Sequence, residues 1–277
     1  MIVELRGWSL LARVSERGTS SRFGRAFDAR MAGVLVIAHR GARDRAPENT
    51  LAAFEAALAD GVRAIEFDVQ VSADGIAVLC HDDHLQRVSG IDARISRSSY
   101  ADISTIMVRG DAMEPQPIPT LDATLELLEG RAQLFVELKA SFDLAVGFRS
   151  SSIAAEVALP MLRGCSDVIV SSFDPAGPAY VRAHSDLPIA HGVVAAAACT
   201  PWASTARAAG AVQVHVESTL VDAEAMEAAA ALELEVCAWT VNDPATARRF
   251  EQLGVAGIFC DAPGAMLRAL AAGDADA

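Results

Sequence analysis

The sequence predicts an α/β chain closed as a (β/α)8 barrel of the TIM type, with a β-hairpin extension after the second barrel strand. Two observations carry that reading. From Val34 to the C-terminus, nine short apolar runs are interleaved with Ala- and Leu-rich helical stretches, the pattern of βα units around a buried parallel sheet. Two of those runs are separated only by a turn at Asp74-Gly75, too short for a parallel crossover. They form a hairpin and leave eight strands for the barrel.

The first strand is Val34–Ala38, ending in His39-Arg40-Gly41. A helix over Asn49–Asp60 follows, its apolar and Ala residues at helical spacing, capped by Asn49-Thr50 and stopped by Gly61. The next runs are 62–69, closing on Glu66-Phe67-Asp68, and 76–80, closing on His81-Asp82. A hairpin centred on the Asp-Gly turn pairs residues whose numbers sum to roughly 148, which sets His81 opposite Asp68 and Asp82 level with Glu66. Residues 89–119, with Pro115, Pro117 and Pro119, have no regular assignment and are long enough for a lid or substrate loop. The remaining strands are 133–138, 167–171, 188–194, 211–216, 235–241 and 256–260, most of them separated by helices at 121–129, 152–163, 222–232 and 244–253. Residues 31–277 are read as one domain. Residues 1–30, with six arginines against Glu4, Glu16 and Asp28, are read as a tail, and Met31 as a candidate start of translation.

With 277 residues and 52% hydrophobic content the chain can bury a large core. A net charge of −13 argues against nucleic acid and anionic membrane surfaces as partners. An anionic small molecule is compatible if a cation and local Arg or Lys overcome that field. The five cysteines form no CxxC pair and suit reduced core thiols. The apolar stretch Trp8–Ala12 is too short for a signal segment or a membrane span, so a cytoplasmic location is expected.

The chemistry gathers at strand ends. Lys139 is the single lysine of the chain, against 22 arginines, and a compact ammonium differs in use from a guanidinium fork. It shares a strand face with Glu137, two residues earlier. Glu66 and Asp68 likewise share a face. Buried carboxylates and imidazoles cost desolvation and are tolerated for chemistry. Glu66, Asp68 and Glu137 together call for a divalent cation, and all-oxygen ligation favours Mg²⁺ or Ca²⁺. The plainer alternative pairs Glu66 and Asp68 with Arg40 or Arg63. His39 and His81 form a candidate acid/base pair, and Arg40 and Lys139 candidate phosphate contacts. His81 and His84 do not converge on a metal from a strand or turn, and His184, His191 and His215 are read as structural or surface residues. Trp239 ends another strand as a substrate wall or as core packing.

The runs HRGARDRAPENTLAAFEAALADG and EFDVQVSADGIAVLCHD, followed by VELK, VSSFD, AWTVN and GVAGIFCDAP, resemble the glycerophosphodiester phosphodiesterase family across nearly all of 34–265. The resemblance implies His39 and His81 as catalytic acid and base, Glu66, Asp68 and Glu137 as divalent-metal ligands, and Arg40 and Lys139 at the phosphate. It also implies that Glu48 and Asn49 support the first strand loop and that Trp239 lines the substrate end. The implied reaction is hydrolysis of a glycerophosphodiester to glycerol 3-phosphate and an alcohol, with the glycerol 2-hydroxyl as nucleophile and a cyclic phosphate between. Two departures stand out: Asp83 where the family usually has proline, and Cys260 where it usually has threonine. Two other activities are weighed. Lysophospholipase D-like or phospholipase-like cleavage would need an apolar rim, for which 89–119 offers Ile91, Ile95, Tyr100, Ile103, Ile106, Met107, Val108, Met113 and Ile118. A catalytically silent binding barrel conflicts with the intact histidines and carboxylates.

Overall fold

A computed structural model describes residues 33–144, 147–193 and 202–273. The tail expected over residues 1–30 lies outside the described residues. The first strands are β1 (Leu35–His39), β2 (Ala64–Val71) and β3 (Ala77–Leu79), followed by the two-residue pair β4 (Met107–Val108) and β5 (Gln116–Pro117). Then come β6 (Gln133–Leu138), the short pair β7 (Ser141–Asp143) and β8 (Gly147–Arg149), and β9 (Val168–Ser172). The last four are β10 (Ile189–Val193), β11 (Gln213–Glu217), β12 (Glu235–Trp239) and β13 (Gly257–Cys260).

Eight of these close into a parallel barrel in the order β1-β2-β6-β9-β10-β11-β12-β13, and β13 returns to β1 through Leu35↔Gly257 to Ala38↔Cys260. The seam between β1 and β2 pairs His39 with Glu66, which puts the first histidine beside the first carboxylate. β2 continues past the rim and pairs antiparallel with β3 as Val69↔Leu79, Gln70↔Val78 and Val71↔Ala77, each pair summing to 148. Inside the barrel lie Ile37, Phe135, Ile169, Cys237 and Phe259, while the outward faces of the strands pack beneath the helices. All eight residues of β2 are buried, the apolar Ile65, Phe67, Val69 and Val71 alternating with Glu66, Asp68 and Gln70.

The helix after β1 runs Leu51–Ala59, and its N-cap is Thr50, whose hydroxyl accepts from Ala53 N–H. Asn49 is not a cap. Its amide makes two hydrogen bonds to Asp68, described below. Gly41 in the same loop has φ +85°, and a Cβ there would stand 2.6 Å from Ala53 Cβ, so only glycine lets the loop close on this helix.

The stretch 89–119 differs from the expectation of an unstructured lid. Gln86–Ser89 and Tyr100–Ile103 form short helices, Ile95–Arg97 a 3₁₀ turn, and β4 pairs with β5. The apolar residues offered for a lipid rim are largely spent on a small core of its own: Ile95, Ile103, Val108 and Ile118 are buried with Val78, Leu85 and Val88. Asp83, the departure from the family pattern, anchors this segment by accepting from Ser96 N–H at 2.8 Å, Ser96 Oγ–H at 2.9 Å and Arg94 at 3.2 Å.

Candidate active site

Most strand ends deliver polar side chains to the C-terminal mouth. His39, Arg40, Glu66, His81, Glu137, Lys139 and Trp239 all line one cavity of about 230 Å³ there. Asp68 sits just behind it, fully buried. Ligand oxygens of Glu66, Asp68 and Glu137 lie within 4.8 Å of one another.

Their electrostatics decide what the cluster can hold. Arg40 Nε is 3.0 Å from Asp68 Oδ2, and Lys139 Nζ donates to Glu137 Oε1 at 2.6 Å and lies 3.4 Å from Asp68 Oδ1. Asn49 clamps Asp68 from both sides, its Nδ2–H donating to Oδ2 at 2.8 Å and its Oδ1 accepting from Asp68 N–H at 3.1 Å. Burial works to protonate Asp68, but Lys139, Arg40 and His81 outweigh it and hold the carboxyl well below its usual range. Glu66 has no side-chain cation of its own; it accepts from Arg40 N–H at 2.9 Å. Burial, then Asp68 and Glu137 nearby, push its pKa well up. The alternative of simple salt bridges therefore holds for Asp68 with Arg40 but not for Glu66, and Arg63 turns away to the carbonyl of Val62.

Glu66 Oε1 and Asp68 Oδ1 are enclosed and lack any hydrogen-bond partner. Two unsatisfied carboxylate oxygens in one place are costly, and a divalent cation accepting both, with Glu137, removes the cost. The all-oxygen donor set fits a hard cation.

The two histidines are built alike. His39 Nδ1 lies 2.8 Å from Asp261 Oδ1, and His81 Nδ1 lies 2.7 Å from Asp82 Oδ1. An ionised carboxylate only accepts, so each ring donates through Nδ1–H and carries its lone pair on Nε2. Burial lowers the pKa of His39, partly countered by the hydrogen bond to Asp261. Burial also works to raise Asp261, yet hydrogen bonds from His39 and Asn242 keep it well below the carboxylate range. Arg43 Nη1–H donates to the same carboxylate at 2.7 Å and Asn242 Nδ2–H at 2.9 Å. Asp82 is held down chiefly by its bond with His81.

Three arginines gathered on buried Glu48 brace these groups. Glu48 accepts from Arg40 at 3.1 Å and from Arg87 at 2.7 Å, and pairs with Arg43 at 3.1 Å. The Arg40 fork is thus turned toward Glu48 and Asp68. Trp239 donates Nε1–H to the carbonyl of His215 at 3.0 Å and meets Phe173 edge to face at 5.4 Å, forming a wall of the cavity. His84 pairs with exposed Asp92 and belongs to no ligand cluster.

Sequence reasoning missed Asp261, Arg43, Asn242 and Arg87. Asp261 carried a legible signal, being a charged residue immediately after the last apolar run.

Carboxylates, paired imidazoles and cations at the C-terminal mouth of a β/α barrel define a hydrolase-type site. The chain belongs to the glycerophosphoryl diester phosphodiesterase family, whose model matches residues 39–265. A glycerophosphodiester phosphodiesterase of Caldanaerobacter subterraneus is 29% identical over 238 residues, covering 83% of this chain and 94% of the relative. The solved structure of an Oleispira antarctica phosphodiesterase in complex with sn-glycerol-3-phosphate superposes with a TM-score of 0.76 at 26% identity, covering 85% of this chain and 96% of that one. A glycerophosphodiester phosphodiesterase from Agrobacterium tumefaciens gives 0.68 at 26% identity, covering 86% and 99%. Among the described residues no helix is long and apolar enough to cross a membrane.

Proposed function

We propose that this chain hydrolyses glycerophosphodiesters to glycerol 3-phosphate and an alcohol, using His39 and His81 as base and acid. The observation that carries the reading is the pair of carboxylate-anchored imidazoles in one cavity with enclosed oxygens of Glu66 and Asp68 that lack hydrogen-bond partners. The product bound in the Oleispira structure supports the substrate class.

Glu66, Asp68 and Glu137 would hold Mg²⁺ or Ca²⁺, whose charge neutralises the non-bridging phosphate oxygens. Lys139 and Arg40, both in the cavity lining, orient the same group. His39, kept neutral by burial, takes the proton of the glycerol 2-hydroxyl as its oxygen bonds to phosphorus. His81, with Asp82 as counter-ion, gives a proton to the alcohol oxygen as the other P–O bond breaks. Water then opens the cyclic phosphate with the two roles reversed. Trp239 and Phe173 wall off the substrate end.

A second reading, cleavage of lysolipids, has one favourable observation. The β7–β8 hairpin, next in sequence to Lys139, exposes Phe142, Leu144 and Phe148. The test is release of glycerol 3-phosphate from glycerophosphocholine with Mg²⁺, with Ca²⁺ and with EDTA, beside an arm with lysophosphatidylcholine. Metal-dependent release that His39→Ala and His81→Ala each abolish, with folding retained, is expected; near-normal turnover by either variant overturns the acid/base assignment.

A further inference from the structure

Phosphodiester hydrolysis by His39 and His81 leaves unused a polar group on the far side of the cavity. β2 is the second barrel strand and β11 the sixth, so in a ring of eight their inward residues face each other across the mouth. On β11 that residue is His215, 5% exposed, packed edge to face on Phe259 at 4.8 Å and lining the cavity. Sequence reasoning gives it a structural or surface role, and one half of the ring has a structural role.

His215 Nε2 lies 2.9 Å from Gln213 Oε1, and Gln213 Nε2–H donates to Glu235 Oε2 at 3.1 Å. A carboxylate can only accept, so Glu235 fixes which end of the amide it meets and turns the amide oxygen to the imidazole. The ring therefore donates through Nε2–H, and Nδ1 carries a lone pair. Nδ1 has no hydrogen bond within the described residues. The His215 side chain lines the cavity, and among the described residues Nδ1 is not one of the enclosed atoms without a partner. Burial, with His191 nearby, holds the pKa of His215 at about 3, which keeps that lone pair available at neutral pH.

We propose that His215 Nδ1 accepts the terminal hydroxyl of the substrate's glycerol group and so selects glycerol over other diol phosphates, an inference that rests on the phosphodiesterase reading. With phosphate at Lys139 and the 2-hydroxyl at His39, the terminal hydroxyl is the part of glycerol left to reach across the barrel. The route is flanked by Phe173 and Trp239. Gly192 makes room for that wall, since a Cβ there would stand 2.6 Å from the Phe173 ring. Among aromatic faces an acceptor nitrogen pairs with an O–H and is left unpaired by a C–H in its place.

The experiment compares kcat/KM for glycerophosphocholine and for its analogue in which the terminal CH₂OH of glycerol is CH₃, the 2-hydroxyl being kept. Wild type should prefer the former by about 10- to 100-fold. His215→Phe, which fills the same space, should bring the ratio near one, and His215→Gln, which restores an acceptor oxygen, should recover part of it. Thermal unfolding of each variant separates loss of selectivity from loss of fold. If the Phe variant does not fold, the wild-type ratio and the Gln variant decide. A folded Phe variant that keeps the preference, or a wild type that turns over both substrates equally, overturns the role of His215 alone. A wild type that turns over neither overturns the phosphodiesterase reading and this inference with it.

Discussion

Replacing Asp261 with Asn removes the charge behind His39 while keeping the side chain's size. Asn Oδ1 can still accept Nδ1–H at the 2.8 Å separation, so the ring orientation survives and the loss reports the charge. An imidazolium and a carboxylate about 4 Å apart interact by ~4 kcal/mol at an effective dielectric near 20. Two features reduce that value here: the Asp261 side chain is 30% exposed, and Arg43 shares the same oxygen at 2.7 Å. The remaining stabilisation of protonated His39 is about 2–3 kcal/mol, which corresponds to a fall in kcat of roughly 30- to 150-fold. The pH profile gives a second readout. Burial sets His39 below its ordinary pKa and Asp261 pulls it back up; without the carboxylate His39 titrates lower still, so the acid limb of kcat should move to lower pH. Steady-state kinetics from pH 5 to 8 with saturating Mg²⁺ measure both. A kcat within threefold of wild type and an unmoved limb would refute a role for this carboxylate in stabilising the base.

Glu66→Ala should weaken Mg²⁺ or Ca²⁺ binding by at least the roughly 10- to 100-fold that losing even an outer-shell partner costs, and lower activity in parallel; calorimetric titration that finds unchanged affinity removes Glu66 from the ligand set. His215 makes stability depend on pH. Its folded pKa of about 3 lies below the ordinary 6.5, so above 6.5 both states are neutral, and as pH falls below 6.5 the unfolded chain takes up a proton that the folded chain refuses. Stability should therefore fall by about 2 kcal/mol between pH 7 and pH 5 from this group. Urea unfolding of His215→Phe should show that increment gone.

The barrel was legible because strands buried on both faces read as apolar runs, and because three residues around Asp74-Gly75 admit only a hairpin. The inward charges were legible for a related reason: Glu66, Asp68, Glu137 and Lys139 interrupt runs in which any charge is expensive. What escaped depends on contacts between distant segments. Asp261 finds His39 from 222 residues away, and Glu48 meets Arg87 across 39. Asn49 looks like a helix cap by type and position, yet Thr50 holds the cap and Asn49 is spent on Asp68. Residues 89–119 lack periodicity because their small core is made of single apolar residues from different short segments: Ile95 from a 3₁₀ turn, Ile103 from a helix, Val108 from β4 and Ile118 after β5. His215 is not legible as a site residue because an isolated histidine within an apolar strand is ordinary; Gln213 and Glu235 reveal which nitrogen carries the lone pair.

The charge of the mouth bears on how an anionic substrate enters a chain of net charge −13. Glu66, Asp68 and Glu137 against Arg40 and Lys139 are three carboxylates and two cations, a formal charge of −1. A bound divalent cation turns that into +1. With the pKa of Glu66 raised, that cluster offers a phosphodiester no net attraction before loading and attracts one afterwards, and because binding free energies couple reciprocally, substrate must tighten cation binding by the same factor. Local charges dominate the distant surface at ordinary ionic strength, where the Debye length is about 8 Å. Calorimetry should therefore find glycerol 3-phosphate bound at least tenfold more weakly in EDTA than with Mg²⁺, a difference of about 1.4 kcal/mol or more, and Mg²⁺ bound tighter by the same ratio when glycerol 3-phosphate is present. Equal affinities in the two conditions would mean that Lys139 and Arg40 alone carry the phosphate, and that the three carboxylates serve only to hold those cations in place.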